Sequence, residues 1–291
     1  MTQEFERLVR IVAQLRGPGG CPWDQEQTAK SLTPYIIEEA HELVDAIESE
    51  NTKEVIEELG DYLFQVILQA QVAADQNRFD LADVLRVLND KMIRRHPHVF
   101  ASAEPGRINS KKVLENWDEI KRNEKPDSIF RLPKNLPALQ YAHKLGAKSA
   151  RWKFDWSHEA AVPTALRVLD KVDEELEELK EALETWLKKV STESKEPFHQ
   201  VMDAKNPEAL HLVHEMGDLL FALAQLARHL GFQAEDSLRG CNHRFENRFE
   251  TMLDIGKHNQ ESFLKLNGEE MEELWLRAKA LTKGKESHGK E

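Results

Sequence analysis

Ile56-Glu57-Glu58-Leu59-Gly60-Asp61-Tyr62-Leu63-Phe64-Gln65-Val66-Ile67-Leu68-Gln69-Ala70 decides the fold of this 291-residue chain. Ile56, Leu59, Leu63, Ile67 and Ala70 fall on one stripe, at the three-to-four-residue period of an amphipathic helix that buries one face. The same period runs through Ile36, Ala40, Leu43 and Ile47, then through Leu169, Val172, Leu176, Leu179 and Leu183, and again through Leu210, Val213, Gly217, Leu220 and Ala224. Gly and Pro gather between these runs, at Gly17-Pro18-Gly19-Gly20 and at Pro207, and strand signals are nearly absent. The fold class is all-α, and the stripes are expected to face the core.

The stretch is also half of a duplication. Glu58-Leu59-Gly60-Asp61-Tyr62-Leu63-Phe64 recurs as Glu215-Met216-Gly217-Asp218-Leu219-Leu220-Phe221. Before it, Glu38-Glu39-x-x-Glu42 recurs as Glu174-Glu175-x-x-Glu178. After it, Asn89-x-Lys91-Met92-x-x-Arg95 recurs as Asn242-x-Arg244-Phe245-x-x-Arg248, and Trp117-x-x-x-Lys121 as Trp275-x-x-x-Lys279. Motifs repeating in one order mark a tandem architecture. Pro126, Pro133 and Pro137 suit a linker, so the domains are expected at 1–125 and 138–291, with the linker at 126–137. Between Glu42 and Glu58 lie 15 residues, and between Glu178 and Glu215 lie 36; the added length near 188–206 reads as a helix extension plus a surface loop.

Composition narrows the function. The net charge is −12, which disfavours non-specific nucleic-acid binding, because phosphate contact needs clustered Lys and Arg. No run approaches the ~18 uncharged apolar residues of a membrane span, and the charged N-terminus lacks a signal-peptide core, so a cytoplasmic location is expected. Cys21 and Cys241 are too few and too far apart in sequence for a disulfide framework or a thiolate metal site.

The acids point to cations. Glu39 and Glu42 share one helix face, as do Glu58 and Asp61, and a short connection between two antiparallel helices brings the four to one groove. Glu175, Glu178, Glu215 and Asp218 repeat the set. Like charges this close raise one another's pKa unless a cation compensates them, and an all-oxygen set suits Mg²⁺ or Mn²⁺ better than zinc. Against this stands the usual state of acidic helix faces, which is solvation. Gly60 and Gly217, each placed mid-helix at a cost of ~1 kcal/mol against Ala, fit either close helix approach beside the acids or simple packing.

The ordered set Glu-Glu-x-x-Glu, Glu-x-Gly-Asp resembles the MazG-type nucleoside triphosphate pyrophosphohydrolases of the all-α NTP pyrophosphatase superfamily. Gly20-Cys21-Pro22-Trp23-Asp24-x-Glu26-Gln27-Thr28, Arg94-Arg95-His96-Pro97-His98-Val99-Phe100 and Phe154-Asp155-Trp156 extend the resemblance, over nearly the whole chain, to the tandem members. It implies two helical-bundle domains and Mg²⁺-dependent hydrolysis of nucleoside triphosphate to monophosphate and pyrophosphate. It also implies a homodimer with sites built partly at the subunit interface. By motif, Glu175, Glu178, Glu215 and Asp218 would be metal ligands, with Glu39, Glu42, Glu58 and Asp61 as first-domain counterparts. Arg244, Arg248 and Lys279, with Lys171, would take the triphosphate, and Trp275 would lie near the nucleotide. Lys91, Arg95, Trp117 and Lys121 form the matching first-domain set. Glu174 or Glu38 would orient or deprotonate the water. The second domain is expected to carry more of the activity.

A dUTP- or dCTP-selective pyrophosphatase and a non-catalytic helical dimer that binds nucleotide or protein remain alternatives, and no motif identifies a toxin–antitoxin or stress partner. Other residues read as structural. His96 and His98 flank a turn, His211 and His214 face water, Cys21 anchors a loop, and the Gly17–Gly20 run lacks the G-K-[ST] of a P-loop.

Overall fold

The computed structural model describes residues 2–101, 109, 112, 113, 116, 117, 120, 124, 132–156, 160–188, 206–256 and 263–283. All its regular elements among these residues are α-helical, and none is long and apolar enough to cross a membrane. The chain divides into two compact units, Met1–Pro126 and Asp127–Glu291. Half of the expected linker, and nearly all of the long insertion near 188–206, lie outside the described residues.

The first unit comprises α1 (Thr2–Arg16), α2 (Pro22–Glu26), α3 (Thr33–Glu48), α4 (Thr52–Asp75), α5 (Leu81–Arg95) and α6 (Pro97–Phe100). Only three residues separate α3 from α4, so the chain folds straight back and the two helices pack side by side. Asn51 caps α4 by accepting from the Lys53 N–H, and Asp80 with Asp83 forms a capping box on α5. Val12, Leu32, Ile67, Leu68 and Val72 are buried together where α1 crosses the C-terminal half of α4. Arg16 ties this end down: it pairs with Asp75 at 2.7 Å and donates to the carbonyls of Asp24 and Gln27. The Gly-Pro-Gly-Gly turn is equally tight, since a Cβ on Gly20 would stand 2.2 Å from the Leu15 carbonyl oxygen.

The second unit comprises α7 (Ala138–Ala150), α8 (Ala161–Leu187), α9 (Pro207–Leu230), α10 (Ala234–Gly256) and α11 (Gly268–Thr282). The α8–α9 pair repeats α3–α4, α7 packs on α9, and α10 packs on α11. Asn206 caps α9, Gly231 ends it in the left-handed region at φ 88°, and Asn267 with Glu270 boxes the start of α11. The α7–α9 contact is close enough to exclude any side chain at Gly146, whose Cβ would fall 1.7 Å from Gln225 Oε1. Gln225 is fully buried and donates to the Ala142 carbonyl at 2.7 Å.

One expectation fails. The apolar stripes do not all face a core. In α4, Ile67 is 2% exposed, but Ile56 is 68% exposed and Leu59 and Leu63 are also open. In α8 the buried line runs through Val168, Val172, Glu175, Ala182 and Trp186, while Leu169, Leu176 and Leu183 beside it stay exposed. Leu210, Val213 and Leu220 of α9 are exposed too. Each central helix carries an apolar band wider than its own unit covers. Nor do the mid-helix glycines make close contacts: a Cβ on Gly60 or Gly217 would meet no atom within 4 Å.

Candidate active site

Each unit gathers three acids at the seam of its central helix pair. In the first, Glu39 of α3 meets Glu58 and Asp61 of α4; in the second, Glu175 and Glu178 of α8 meet Glu215 of α9. Within each trio one oxygen per residue lies within 4.8 Å of the others. Glu42 and Asp218 stand outside these trios, although the Glu42 charge still acts on Glu39 and Glu58. The i,i+3 spacing places Glu58 with Asp61 and Glu175 with Glu178, and the packing of the helix pair supplies the third group.

These acids repel one another. Partial burial raises the pKa of Glu39 above the ordinary carboxylate value; the Gln65 hydrogen bond opposes this, and Asp61, Glu42 and Glu38 add to it. Desolvation and then Glu42, Asp61 and Glu39 raise Glu58. Desolvation and Glu175 raise Glu178, against a counteracting pull from Lys171, with Glu215 and Glu174 adding. Glu175 is 8% exposed, an unusual position for a carboxylate without a compensating cation. Lys171 compensates in part, at 2.8 Å from Glu174 and 2.7 Å from Glu175. An all-oxygen trio, compensated only in part, is the donor set of a hard divalent ion, so the residues present fit such a cation.

Of the expected cations, Lys171 sits on α8 and is taken up by Glu174 and Glu175, and the others occupy other helices. Arg244 and Arg248 lie on α10, Trp275 and Lys279 on α11. Trp275 packs on Phe245 with ring centroids 5.3 Å apart and against the Met252, Leu274 and Ala278 cluster. In the first unit, Lys91 and Arg95 are half-buried on α5, and Trp117 stands edge-on to His96 at 5.1 Å. Arg94 and Arg95 both bind Glu124, whose pKa their hydrogen bonds bring down to about 2. Lys121 lies outside the described residues.

Two contacts near the acids escaped the sequence reading. His211 is exposed, as expected, but its Nδ1 also lies 3.1 Å from Glu215 Oε1. Its i,i+4 spacing to a candidate ligand was the available signal. Gln65 donates to Glu39 at 3.3 Å, and nothing in its spacing marked it. The remaining motifs are structural: Cys21 donates its backbone N–H to the Leu15 carbonyl, Trp23 packs edge-on to Tyr35, and His96 approaches the Met92 carbonyl. Asp155 accepts from Arg228 at 2.6 and 3.1 Å with His229 beside it, locking the Phe154-Asp155-Trp156 segment onto α9.

A helical unit occurring twice, each copy with its acids at the seam of one helix pair, defines a class of tandem all-α proteins whose acid clusters could coordinate a divalent cation. The model of the MazG nucleotide pyrophosphohydrolase domain matches twice, at residues 27–100 and 164–253. The chain is 39% identical over 282 residues to a nucleoside triphosphate pyrophosphohydrolase of Escherichia coli, covering 95% of this chain and 97% of that protein. It is 37% identical over 279 residues to the nucleoside triphosphate pyrophosphohydrolase/pyrophosphatase MazG of Thermotoga maritima, covering 94% and 95%. An uncharacterised Bacillus subtilis protein, YabN, is 39% identical over 280 residues, which span 52% of its length. This chain belongs to the MazG nucleotide pyrophosphohydrolase family.

Proposed function

We propose that the chain hydrolyses nucleoside triphosphates to monophosphate and pyrophosphate, with broad base tolerance, as a nucleotide-pool housekeeping enzyme that uses Mg²⁺ or, in its place, Mn²⁺. The observation that carries this is the acid trio built twice from the same motif positions, each uncompensated enough to raise a carboxyl pKa. Mg²⁺ in such a site supplies charge neutralisation at the phosphates and a more acidic water. Glu175, Glu178 and Glu215 would hold the cation, with Asp218, three residues after Glu215, as a further ligand by motif; Glu39, Glu58 and Asp61, with Glu42, would do so in the first unit. Glu174, exposed and next in sequence to Glu175, orients or deprotonates the water that attacks the α-phosphorus. Arg244 and Arg248, one helical turn apart, offer guanidinium forks to the polyphosphate, with Lys279 as a further charge. Trp275 gives the nucleotide an apolar face.

The working form is a homodimer. Supporting this, the exposed apolar bands on α4, α8 and α9 flank the acid trios, and the bare backbone at Gly60 and Gly217 leaves room for a second copy to approach closely. The test is product analysis on a nucleoside triphosphate panel, including dUTP and dCTP, with Mg²⁺ and with chelator. Monophosphate and pyrophosphate across several bases, lost with chelator, is the expected result. Diphosphate plus phosphate, or binding without turnover, would overturn it, and turnover confined to dUTP or dCTP would replace the broad reading with a selective one.

A further inference from the structure

Gln65, on α4, is 5% exposed, yet its amide is only half satisfied. Its Nε2 donates to Glu39 Oε1 at 3.3 Å, whereas its Oε1 is sealed from solvent and finds no hydrogen-bond partner among the described residues. The amide cannot turn round to cure this, because a carboxylate accepts only and would then face a second acceptor. A buried acceptor left unpaired is costly, and an apolar side chain of the same length would avoid the cost. What the glutamine brings is its N–H. Among the described residues, no other group donates to the first trio. Burial, and then Asp61, Glu42 and Glu38, raise the Glu39 pKa; Gln65 alone acts the other way and favours the charged carboxylate.

We propose that Gln65 is a positioning residue of the first metal site: its N–H fixes the Glu39 carboxylate at the seam of α3 and α4, beside Glu58 and Asp61, and so presets the trio for a divalent cation. The inference rests on the reading of the trio as a cation site. A neutral donor orients a ligand without neutralising it, and such outer partners of metal-binding groups carry about 10- to 100-fold in metal affinity. The second unit holds its α8 acid differently. Aligned through Glu58-Leu59-Gly60-Asp61 and Glu215-Met216-Gly217-Asp218, the position of Gln65 holds Ala222, itself 2% exposed. There Glu175 is bound by the Lys171 ammonium instead. An ammonium competes with an incoming cation for the carboxylate, and the Gln65 amide does not. Dependence on this glutamine thus belongs to the first unit.

Mn²⁺ alone is the probe, its free fraction counted by electron paramagnetic resonance. The full chain carries Glu178→Gln and Glu215→Gln, so that binding reports the first trio. Gln65→Met, which keeps the length and removes the donor, should weaken Mn²⁺ binding about tenfold or more, while the Tm in chelator holds. A packing role predicts the reverse, a lower Tm at unchanged affinity. Gln65→Ala, which copies the second unit, should lose at least as much affinity and serves if Gln65→Met fails to fold. With Glu39→Gln already present, Gln65→Met should cost nothing further, since the effect runs through that carboxylate. Unchanged Mn²⁺ affinity in the Gln65 variants, or an equal loss with and without Glu39→Gln, overturns the inference and leaves the cation site standing. No Mn²⁺ binding before Gln65 is altered defeats the cation reading of the trio, and the inference with it.

Discussion

Lys171 performs part of a cation's task in the metal-free protein. Glu174 and then Glu175 hold its ammonium well above the ordinary lysine pKa. Lys171→Met should therefore destabilise the metal-free chain by roughly 0.5–1 kcal/mol and enlarge the rise in Tm on adding Mg²⁺, since the trio then loses its lysine partner. Calorimetric melts with chelator and with Mg²⁺ check this; an unchanged Mg²⁺ increment removes Lys171 from the site. Asp155 makes the opposite kind of prediction. Burial disfavours its charge, but the Arg228 hydrogen bond and the Trp156 N–H outweigh burial and hold its pKa below the ordinary 3.8. A carboxyl depressed by folding adds stability that is present above its unfolded value and lost as pH falls through the folded one. Asp155→Asn should cost about 1–3 kcal/mol at pH 7, with the difference from wild type shrinking below pH 4, as followed by denaturant melts across pH. At this scale the acids were legible in the sequence because their spacing is local. Gln65 was not, because its significance lies in Glu39, 26 positions away, and in burial that only packing makes.

The helices themselves were legible for the same reason, since period and caps are local properties. What covers a helix is not local. The period in Ile56-Leu59-Leu63-Ile67-Ala70 shows that a face is apolar; the structure shows α1 covering only its C-terminal end. The glycines carry the consequence. At protein concentrations below self-association, Gly217→Ala should stabilise α9 by up to ~1 kcal/mol, because the added methyl meets nothing and Ala is the better helix former. In sedimentation equilibrium the same variant should associate at least about tenfold more weakly if the proposed dimer forms through this face, since the methyl would stand in its closest approach. Unchanged association would take the α9 face out of the dimer interface.

Across the molecule, the duplication was readable from motif order alone, and so was one asymmetry between the halves. Lys91 of the first unit stands where the second unit has Arg244, a point charge in place of a bidentate fork. Asp218→Asn should therefore remove most triphosphate turnover, whereas Asp61→Asn should mainly change the range of bases accepted. Equal losses in the two variants, at matched helicity and dimer content, would show that the halves share the work. The claim beneath all of this is that the two acid trios are the hydrolytic centres. Pyrophosphate release at saturating Mg²⁺ by the Glu58→Gln/Glu178→Gln double variant tests it most directly. The account predicts at least a ~100-fold loss with the helical content intact; release at the wild-type rate would contradict it.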